Sequence, residues 1–571
     1  MKALFFHPSG KPRGWLRRVL LQDGAGTPRR WARRILFHRD GRIRARFDLW
    51  YSRFDANPAF PLRQEWQDRV TAAAPALAQA RHLVILAPPR LAHAAQGLAE
   101  VLQSSRLAVT MANRWTGDEA ADLVIVISPQ VFDRLPPPER TIHVQTEQNH
   151  LSRWFTAEYL ARLSRSLAVW DYALDNIRAL QDRGLPQKQL FHVPLQPRPA
   201  PKGAPELARD IDVLFYGDPS SPRRRAYLDA LAQRFALVTV TDTFGPAMAA
   251  LLHRARVVVN IHMQDQALLE TPRLAEALSH GARVVSEVAC DQHLQSAPWP
   301  GVQFCPAGDI AGFCDSVAAA LAAPPPDPPG PPDLMRFMVL RALQGLGVFT
   351  DGEFDKLTRD IPLPSDHLIL SLPEAVDRHE AMLAQQPPGT AVFPGLRHPV
   401  GWQGCARSYR YLAQKALDQR WPSLTIQEDD ARLAPDGTAR LKRIRAHLNG
   451  RFDWDLFSGL LSDLDGQARV LDVTEAAGET FVTLDRMMGM VFGIYRPAAL
   501  QALARHPGAG LTIDRHLNNQ GLRCITPLRP LVRHDEAALS TIWPAANAEM
   551  AAKIERSQAR LAAKVAQWRD G

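Results

Sequence analysis

Two successive groups of short, continuously apolar runs constrain this chain more than anything else in it. The first group is His82-Leu83-Val84-Ile85-Leu86, Leu123-Val124-Ile125-Val126-Ile127 and Ile142-His143-Val144-Gln145. The second is Asp212-Val213-Leu214-Phe215-Tyr216, Leu237-Val238-Thr239-Val240, Val257-Val258-Val259-Asn260 and Arg283-Val284-Val285-Ser286. Runs without polar alternation suit strands covered on both faces, the state of inner strands in a parallel sheet. Helical stretches such as 223–235 and 246–254 lie between them. Alternating strands and helices in two groups predict an α/β chain with two doubly wound halves, 61–200 and 201–323, and a ligand in the cleft between them.

A chain of 571 residues is too long for one core and predicts three to four folding units. The run 324–333, Pro-Pro-Pro-Asp-Pro-Pro-Gly-Pro-Pro-Asp, excludes helix and inner strand and reads as a stiff polyproline spacer. With a helix over 334–346 and a loop holding Pro362 and Pro364, it makes 324–364 a linker to a further domain, 365–545. Met550, Ile554, Leu561, Val565 and Trp568 stand at helical spacing in 546–571, which reads as a docking helix.

The formal charge of +9 is unevenly placed, since residues 1–53 hold fourteen Lys and Arg against three Asp. That arm, assigned to residues 1–60, repeats every 16 residues: Trp15, Trp31 and Phe47 align, as do Arg17-Arg18 with Arg33-Arg34. Basic residues interleaved with aromatics suit an anionic membrane surface or a lipid-linked acceptor, or plain packing, ahead of nucleic acid. No apolar run is long enough to span a bilayer, and the Arg-rich start lacks the apolar core of a signal peptide, so a cytoplasmic location, peripheral at the membrane's inner face, is expected. The five cysteines (Cys290, Cys305, Cys314, Cys405, Cys524) form no C-x-x-C pair and read as packing residues.

In the second half, Tyr216-Gly217-Asp218 is a glycine turn after a strand, where backbone N–H groups can approach a phosphate. Arg223 and Arg224 nearby can neutralise a departing diphosphate without metal, so no cofactor is expected there. Glu270 and Glu276 are placed to accept hydrogen bonds from ribose or sugar hydroxyls, with a helix cap and a solvated position as the plain alternatives. His262 follows a strand and fits either a site or a satisfied core position. These stretches, with Gln145-Thr146-Glu147-Gln148, Trp170-Asp171-Tyr172, Asn176-Ile177 and Glu270-Thr271-Pro272-Arg273-Leu274-Ala275-Glu276-Ala277-Leu278 before Gly281, resemble GT-B glycosyltransferases of the spore-maturation and group 1 families over about residues 80–322. Five residues separate the two glutamates, where group 1 enzymes usually have seven.

Three acids, Glu428-Asp429-Asp430, follow the apolar run Leu424-Thr425-Ile426. Stacked carboxylates at a strand end repel one another and are costly to bury, so they suit a site for a divalent cation and an anionic ligand; the plain alternative is a helix-opening turn. Gly401-Trp402-Gln403-Gly404-Cys405-Ala406-Arg407-Ser408, Asp453-Trp454-Asp455-Leu456-Phe457-Ser458-Gly459 and Thr512-Ile513-Asp514, with Leu370-Ser371-Leu372 and Asp377-Arg378 before them, resemble the lipooligosaccharide-type glycosyltransferases of family 25 over about 365–545. The resemblance implies a GT-A-like domain that transfers a hexose, often galactose from UDP, with inversion and usually with manganese. By the same resemblance Asp430 is the metal ligand, with Asp429 and His534 in its shell, and Glu428 is directed to the ribose or metal. Asp514 is the base, with Asp463 the second candidate, while Gly401, Gly404 and Ser408 let a turn approach the donor and Arg378 faces a phosphate. The sequence thus predicts a bifunctional glycosyltransferase acting on a bacterial surface glycan or lipooligosaccharide precursor. The alternative is one active family 25-like module beside a GT-B module that only binds glycan or nucleotide sugar.

Overall fold

A computed structural model describes Trp31 and residues 60–117, 120–149, 154–199, 208–295, 299–535 and 547–570. The basic arm's repeats, apart from Trp31, lie outside the described residues. The chain divides into two compact units, with the boundary between Thr350 and Asp351.

The first unit contains two all-parallel sheets. Strands β1 (His82–Leu86), β2 (Ala108–Ala112), β3 (Leu123–Ile127), β4 (Thr141–Gln145), β5 (Ala168–Asp171) and β6 (Leu190–His192) make one, in the order β2-β1-β3-β4-β5-β6. Strands β7 (Ile211–Tyr216), β8 (Leu237–Val240), β9 (Ala255–Asn260), β10 (Arg283–Glu287) and β11 (Val302–Cys305) make the other, in the order β11-β10-β9-β7-β8. Every residue of β3 is buried, as its unbroken Leu-Val-Ile-Val-Ile run requires. The helices of this unit are α1 (Phe60–Gln79), α2 (Ala92–Leu102), α3 (Ala157–Ser164), α4 (Leu174–Asp182), α5 (Pro222–Arg234), α6 (Gly245–Arg254), α7 (Thr271–Ser279), α8 (Ile310–Ala322) and α9 (Asp333–Gly345). Helix α5 starts where Ser221 accepts the Arg224 N–H and Pro222 occupies the first turn, a position that spares a donor with no helical partner. In each sheet the order reverses beside the first strand, at β1/β3 and at β7/β9, and the carboxyl ends of strands at such a reversal leave a crevice.

The proline-rich run is no free spacer. Met335 N–H donates to Gln196 Oε1 at 2.8 Å, Arg283 donates to the Pro324 carbonyl, and α9 is buried along most of its length. Prolines 326, 328, 329 and 331 instead wall a cavity of about 390 Å³ whose other sides come from both halves, including Leu195 and Trp299. A polyproline segment without N–H donors cannot join a sheet but can lie across apolar surface. The expected linker 324–364 is therefore divided, its beginning belonging to the first unit and its end to the second.

The second unit carries a mixed eight-stranded sheet. Its strands are β12 (His367–Ser371), β13 (Ala391–Pro394), β14 (Leu424–Glu428), β16 (Leu456–Ser458), β17 (Val470–Ala476), β18 (Glu479–Leu484), β19 (Phe492–Tyr495) and β20 (Cys524–Pro527), in the order β13-β12-β14-β19-β16-β20-β18-β17. Strands β15 (Ala431–Leu433) and β21 (Val532–His534) form a separate antiparallel pair that sets His534 opposite Ala431. The helices are α10 (Asp351–Leu357), α11 (Val376–Leu383), α12 (Gly401–Asp418), α13 (Gly437–Asn449), α14 (Pro497–Ala504), α15 (Ile513–Asn518) and α16 (Asn547–Asp570). Asp355 of α10 forms a two-pronged ion pair with Arg410 of α12 at 2.7 and 3.0 Å. The C-terminal helix packs on β17 with Leu561 and Val565 buried. Among the described residues no helix is long and apolar enough to cross a membrane.

Candidate functional sites

In the first unit the predicted donor residues gather at the carboxyl ends of β7, β9 and β10. Gly217 follows β7 with φ of 135°, a conformation L side chains rarely adopt, and its N–H donates to Val240 O at 3.0 Å. A Cβ there would stand 3.0 Å from Arg273 Nη2 and 3.8 Å from Arg224 Nη1. Two guanidiniums therefore converge on the one position that carries no side chain. Arg224, only 3% exposed, is aimed by bonds from Nε to Ile261 O (2.8 Å) and from Nη1 to Asp218 O (2.9 Å). Arg273 lies over the Tyr216 ring and donates to Asn260 Oδ1 at 3.1 Å, and Asn260 in turn donates to Ser286 Oγ across the β9–β10 register. Glu270 is their shared counter-charge, 2.8 Å from Arg273 and 3.5 Å from Arg224.

Arg223 stands apart from this pocket. Its guanidinium grips the fully buried Glu287 through Nη1 and Nη2, both at 2.5 Å, and also donates to Asp265 at 2.9 Å. Tyr227 O–H (2.6 Å) and His262 N–H (2.8 Å) donate to Glu287 as well. The expectation that Arg223 faces the diphosphate thus meets a guanidinium whose fork is already filled, and it is Arg273 that stands beside Gly217 with Arg224. Arg273 was within reach of sequence reasoning, since it sits one helical turn after Glu270 and pairs with it at i,i+3.

Glu276 on α7 accepts from Tyr216 O–H at 3.4 Å, and burial pushes its carboxyl up to about 7. His262 is 2% exposed, and neither ring nitrogen has a hydrogen-bond partner, so it is not a satisfied core histidine. Burial lowers its affinity for a proton.

The motif residues of the first half form one buried network. Asp171 accepts from Gln145 Nε2 (2.7 Å), Ala173 N–H (2.9 Å) and Asn176 Nδ2 (3.1 Å). Burial nevertheless pushes its carboxyl up to about 8.

In the second unit, β14, an inner strand paired with β12 and β19, brings the three acids to its carboxyl end. Arg378 of α11 donates through Nε to Asp429 Oδ1 at 2.6 Å and pairs through Nη2 with both Asp429 and, at 2.9 Å, Asp430. Ser371 Oγ donates to Asp429 Oδ2 at 2.8 Å. His534 Nε2 lies 3.2 Å from Asp430 Oδ2. Burial, then the neighbouring Asp430 carboxylate, push Glu428 up to about 8, and Asp514 also contributes to that shift. Asp514 is oriented by Thr512 O–H (2.6 Å) and Arg515 N–H (2.9 Å), both onto Oδ1. Cys405, read as a packing residue, lies among the same charges: burial, then Glu428, Asp430 and Asp514, hold its thiol well above the usual range. Among the described residues Asp463 is not one of the charges that act on Glu428.

A divalent cation held by Asp430, Asp429 and His534 does not match this arrangement. Asp429 is taken by Arg378 and Ser371, and His534 faces the Asp430 carboxylate instead of standing beside it. Of those three residues only Asp430 has a buried side-chain atom, Oδ1, with no partner, and among the described residues no group of three His, Cys, Asp or Glu is placed to hold a metal. The guanidinium of Arg378 provides the positive charge between the acids, so its expected role toward a phosphate is preceded by this one.

Gly404 and Ser408 also differ from expectation. Both are inside α12, not in a turn: Ser408 Oγ accepts Leu396 N–H at 2.8 Å and donates to Gly404 O at 2.8 Å, and a Cβ on Gly404 would lie 2.8 Å from Leu396 O. It is the chain's own loop, 396–398, that approaches the helix here. Gly401 is the first residue of α12.

No family model matches the sequence, and no curated protein does. The resemblance of residues 365–545 to family 25 therefore rests on its motifs alone. Solved structures match about half of the chain. HepE of Anabaena, crystallised with UDP and glucose, shares 9% identity over 49% of this chain and 98% of its own, with a TM-score of 0.29. WaaG, a glycosyltransferase involved in lipopolysaccharide biosynthesis, shares 11% over 48% and 99%, with a TM-score of 0.28. Sucrose-phosphate synthase of Thermosynechococcus elongatus shares 14% over 48% and 94%, with a TM-score of 0.27. At TM-scores this low the likeness assigns neither an activity nor a ligand to this chain.

Proposed function

We propose that the chain is a glycosyltransferase using nucleotide-sugar donors, UDP-hexose foremost, with one donor site in each unit. One observation carries the reading of the first unit: Arg224 and Arg273 converge on the side-chain-free Gly217 and share Glu270 as counter-charge. When a glycosidic bond to a diphosphate breaks, negative charge grows on the leaving phosphate. Fixed guanidiniums stabilise that charge more than they stabilise the ground state, and the N-terminus of α7 adds its partial positive charge. Glu276, close to half protonated near neutral pH, can exchange hydrogen bonds with a ribose hydroxyl.

In the second unit, Glu428, Asp430 and Asp514 support a second transferase site, in which Asp514 takes the acceptor hydroxyl's proton as the new bond forms. The acceptor class is a bacterial surface glycan or lipooligosaccharide precursor. The alternative of a first unit that binds donor without transferring it is favoured by its carboxylates, because Glu270 and Glu287 are both engaged by arginines. Calorimetric titration of the full chain with UDP, GDP and ADP, with chelator present, tests the donor site. Binding that survives chelator and is weakened in Arg273→Gln is expected, and failure of all three nucleotides to bind would sink the reading. Transfer of sugar by an Asp514→Asn variant separates an active first unit from one that only binds.

A further inference from the structure

We infer that Gln148, in the half of the first unit that lacks the donor pocket, is a positioning residue for that pocket. The loop between β9 and α7 delivers Glu270 to Arg224 and Arg273. Its Leu268 is buried, and both backbone polar groups of that residue turn to Gln148: Leu268 N–H donates to Oε1 at 3.0 Å, and Nε2 donates to Leu268 O at 3.5 Å. One side-chain amide thus pairs with both backbone groups of one residue, as a residue of a neighbouring strand would. The adjacent anchors of the loop come from its own half: Leu269 N–H donates to Asp291 at 2.9 Å, and Cys290 N–H to Ala267 O at 3.1 Å.

Gln148 is itself held from behind. Glu147 N–H donates to Gln145 Oε1, Gln145 Nε2 to Glu147 O at 2.8 Å, Asn176 Nδ2 to Glu147 O at 2.9 Å, and Asn149 N–H to Asn176 Oδ1 at 3.0 Å. The buried Asp171 fixes both Gln145 and Asn176. A continuous chain of bonds therefore runs from Asp171 through the loop 145–149 to Leu268, two residues from Glu270. Loss of the amide leaves a buried peptide N–H and C=O without a partner, which the loop relieves by moving toward water. Glu270 then no longer balances the two guanidiniums in their present places, and the diphosphate pocket loosens without any change in the residues that line it.

The inference rests on the donor reading of the first unit, and two measurements on the full chain keep the two apart. The first is hydrogen–deuterium exchange, in which Gln148→Ala is expected to speed exchange of the peptide spanning 262–270 at least about tenfold, with peptides over β1 and β3 unchanged. The second is calorimetry with UDP, in which Gln148→Ala is expected to weaken binding about tenfold and Gln148→Glu, which keeps an acceptor for Leu268 N–H, by less. Unaltered exchange overturns the inference whatever the nucleotide does. Faster exchange with unaltered UDP affinity also overturns it, leaving Gln148 a structural link only. Failure of the parent protein to bind UDP, GDP or ADP overturns the donor reading and this inference with it, and is recognised because it is seen without any substitution.

Discussion

The two candidate sites share a location and oppose each other in charge. Each lies where strands of a buried sheet end, β7 and β9 in one unit and β14 in the other. In the first, two arginines surround a glycine and one glutamate partly balances them. In the second, Glu428, Asp429 and Asp430 gather around one arginine, and Asp514 acts on Glu428 from nearby. A site with surplus guanidinium is ready for an anion as it stands. A site with surplus carboxylate must take up protons or a cation before an anion can approach, and Glu428 is pushed up first by burial and then by Asp430. The same ligand class, a sugar diphosphate, would thus be met by two opposite electrostatic solutions in one chain.

The contrast breaks most sharply at Arg378. Arg378→Met leaves Asp429 and Asp430 buried without their cation, and the second unit is expected to lose about 3–5 kcal/mol of stability, the scale of breaking a buried ion pair. Denaturant unfolding measures it, and parent-like stability would mean the acids are not ionised beside the arginine. Next in size is Asp430→Asn, which removes the charge whose Oδ1 is unpartnered and keeps the volume. Transfer by the second unit should fall roughly a hundredfold, as for loss of one strong electrostatic contact, while UDP binding to the first unit stays unchanged. A parent-like transfer rate would reduce the acid triplet to a turn.

Arg273→Gln tests the opposite pole. A charged hydrogen bond contributes about 1.5–3 kcal/mol, so UDP affinity should drop about tenfold to a hundredfold, and chelator should alter neither the parent nor the variant. Equal affinities would return the phosphate role to Arg224 alone. The smallest effect is at Glu276. Its folded carboxyl titrates at about 7 against an ordinary 4.5, so between those values the folded protein holds a proton that the unfolded chain releases. Stability therefore falls as pH rises through that window. Glu276→Gln should be more stable than the parent by on the order of 1 kcal/mol at pH 8 and equal to it at pH 4, as read by thermal melting. An advantage that persists at pH 4 would exclude the titration of Glu276 as its cause.

Much of the fold was legible in the residues. The runs at 82–86, 123–127, 212–216 and 257–260 became parallel strands because continuous apolar residues tolerate no solvated face. The glycine turn at 217 and the acids at 428–430 came to strand ends, as local pattern implied. The proline-rich run misled because its composition fixes a backbone conformation and says nothing of what that backbone lies upon. Gly404 and Ser408 misled for a related reason, since a glycine that admits a close approach looks the same whether a ligand or the chain's own loop approaches.

By itself the sequence determined where strands form, which turns need glycine and which acids and bases the chain can bring to a site, for these follow from local sterics and from the cost of burying polar groups. Only the tertiary structure decided how those charges pair. It gave Arg223 to Glu287 and left Arg273 to the pocket, and it set Arg378 between Asp429 and Asp430. It also joined Gln148 to Leu268 across 120 residues of chain. The physical reason is that a charge finds its partner through distance and dielectric in the folded molecule, and neither quantity is written in the order of the residues.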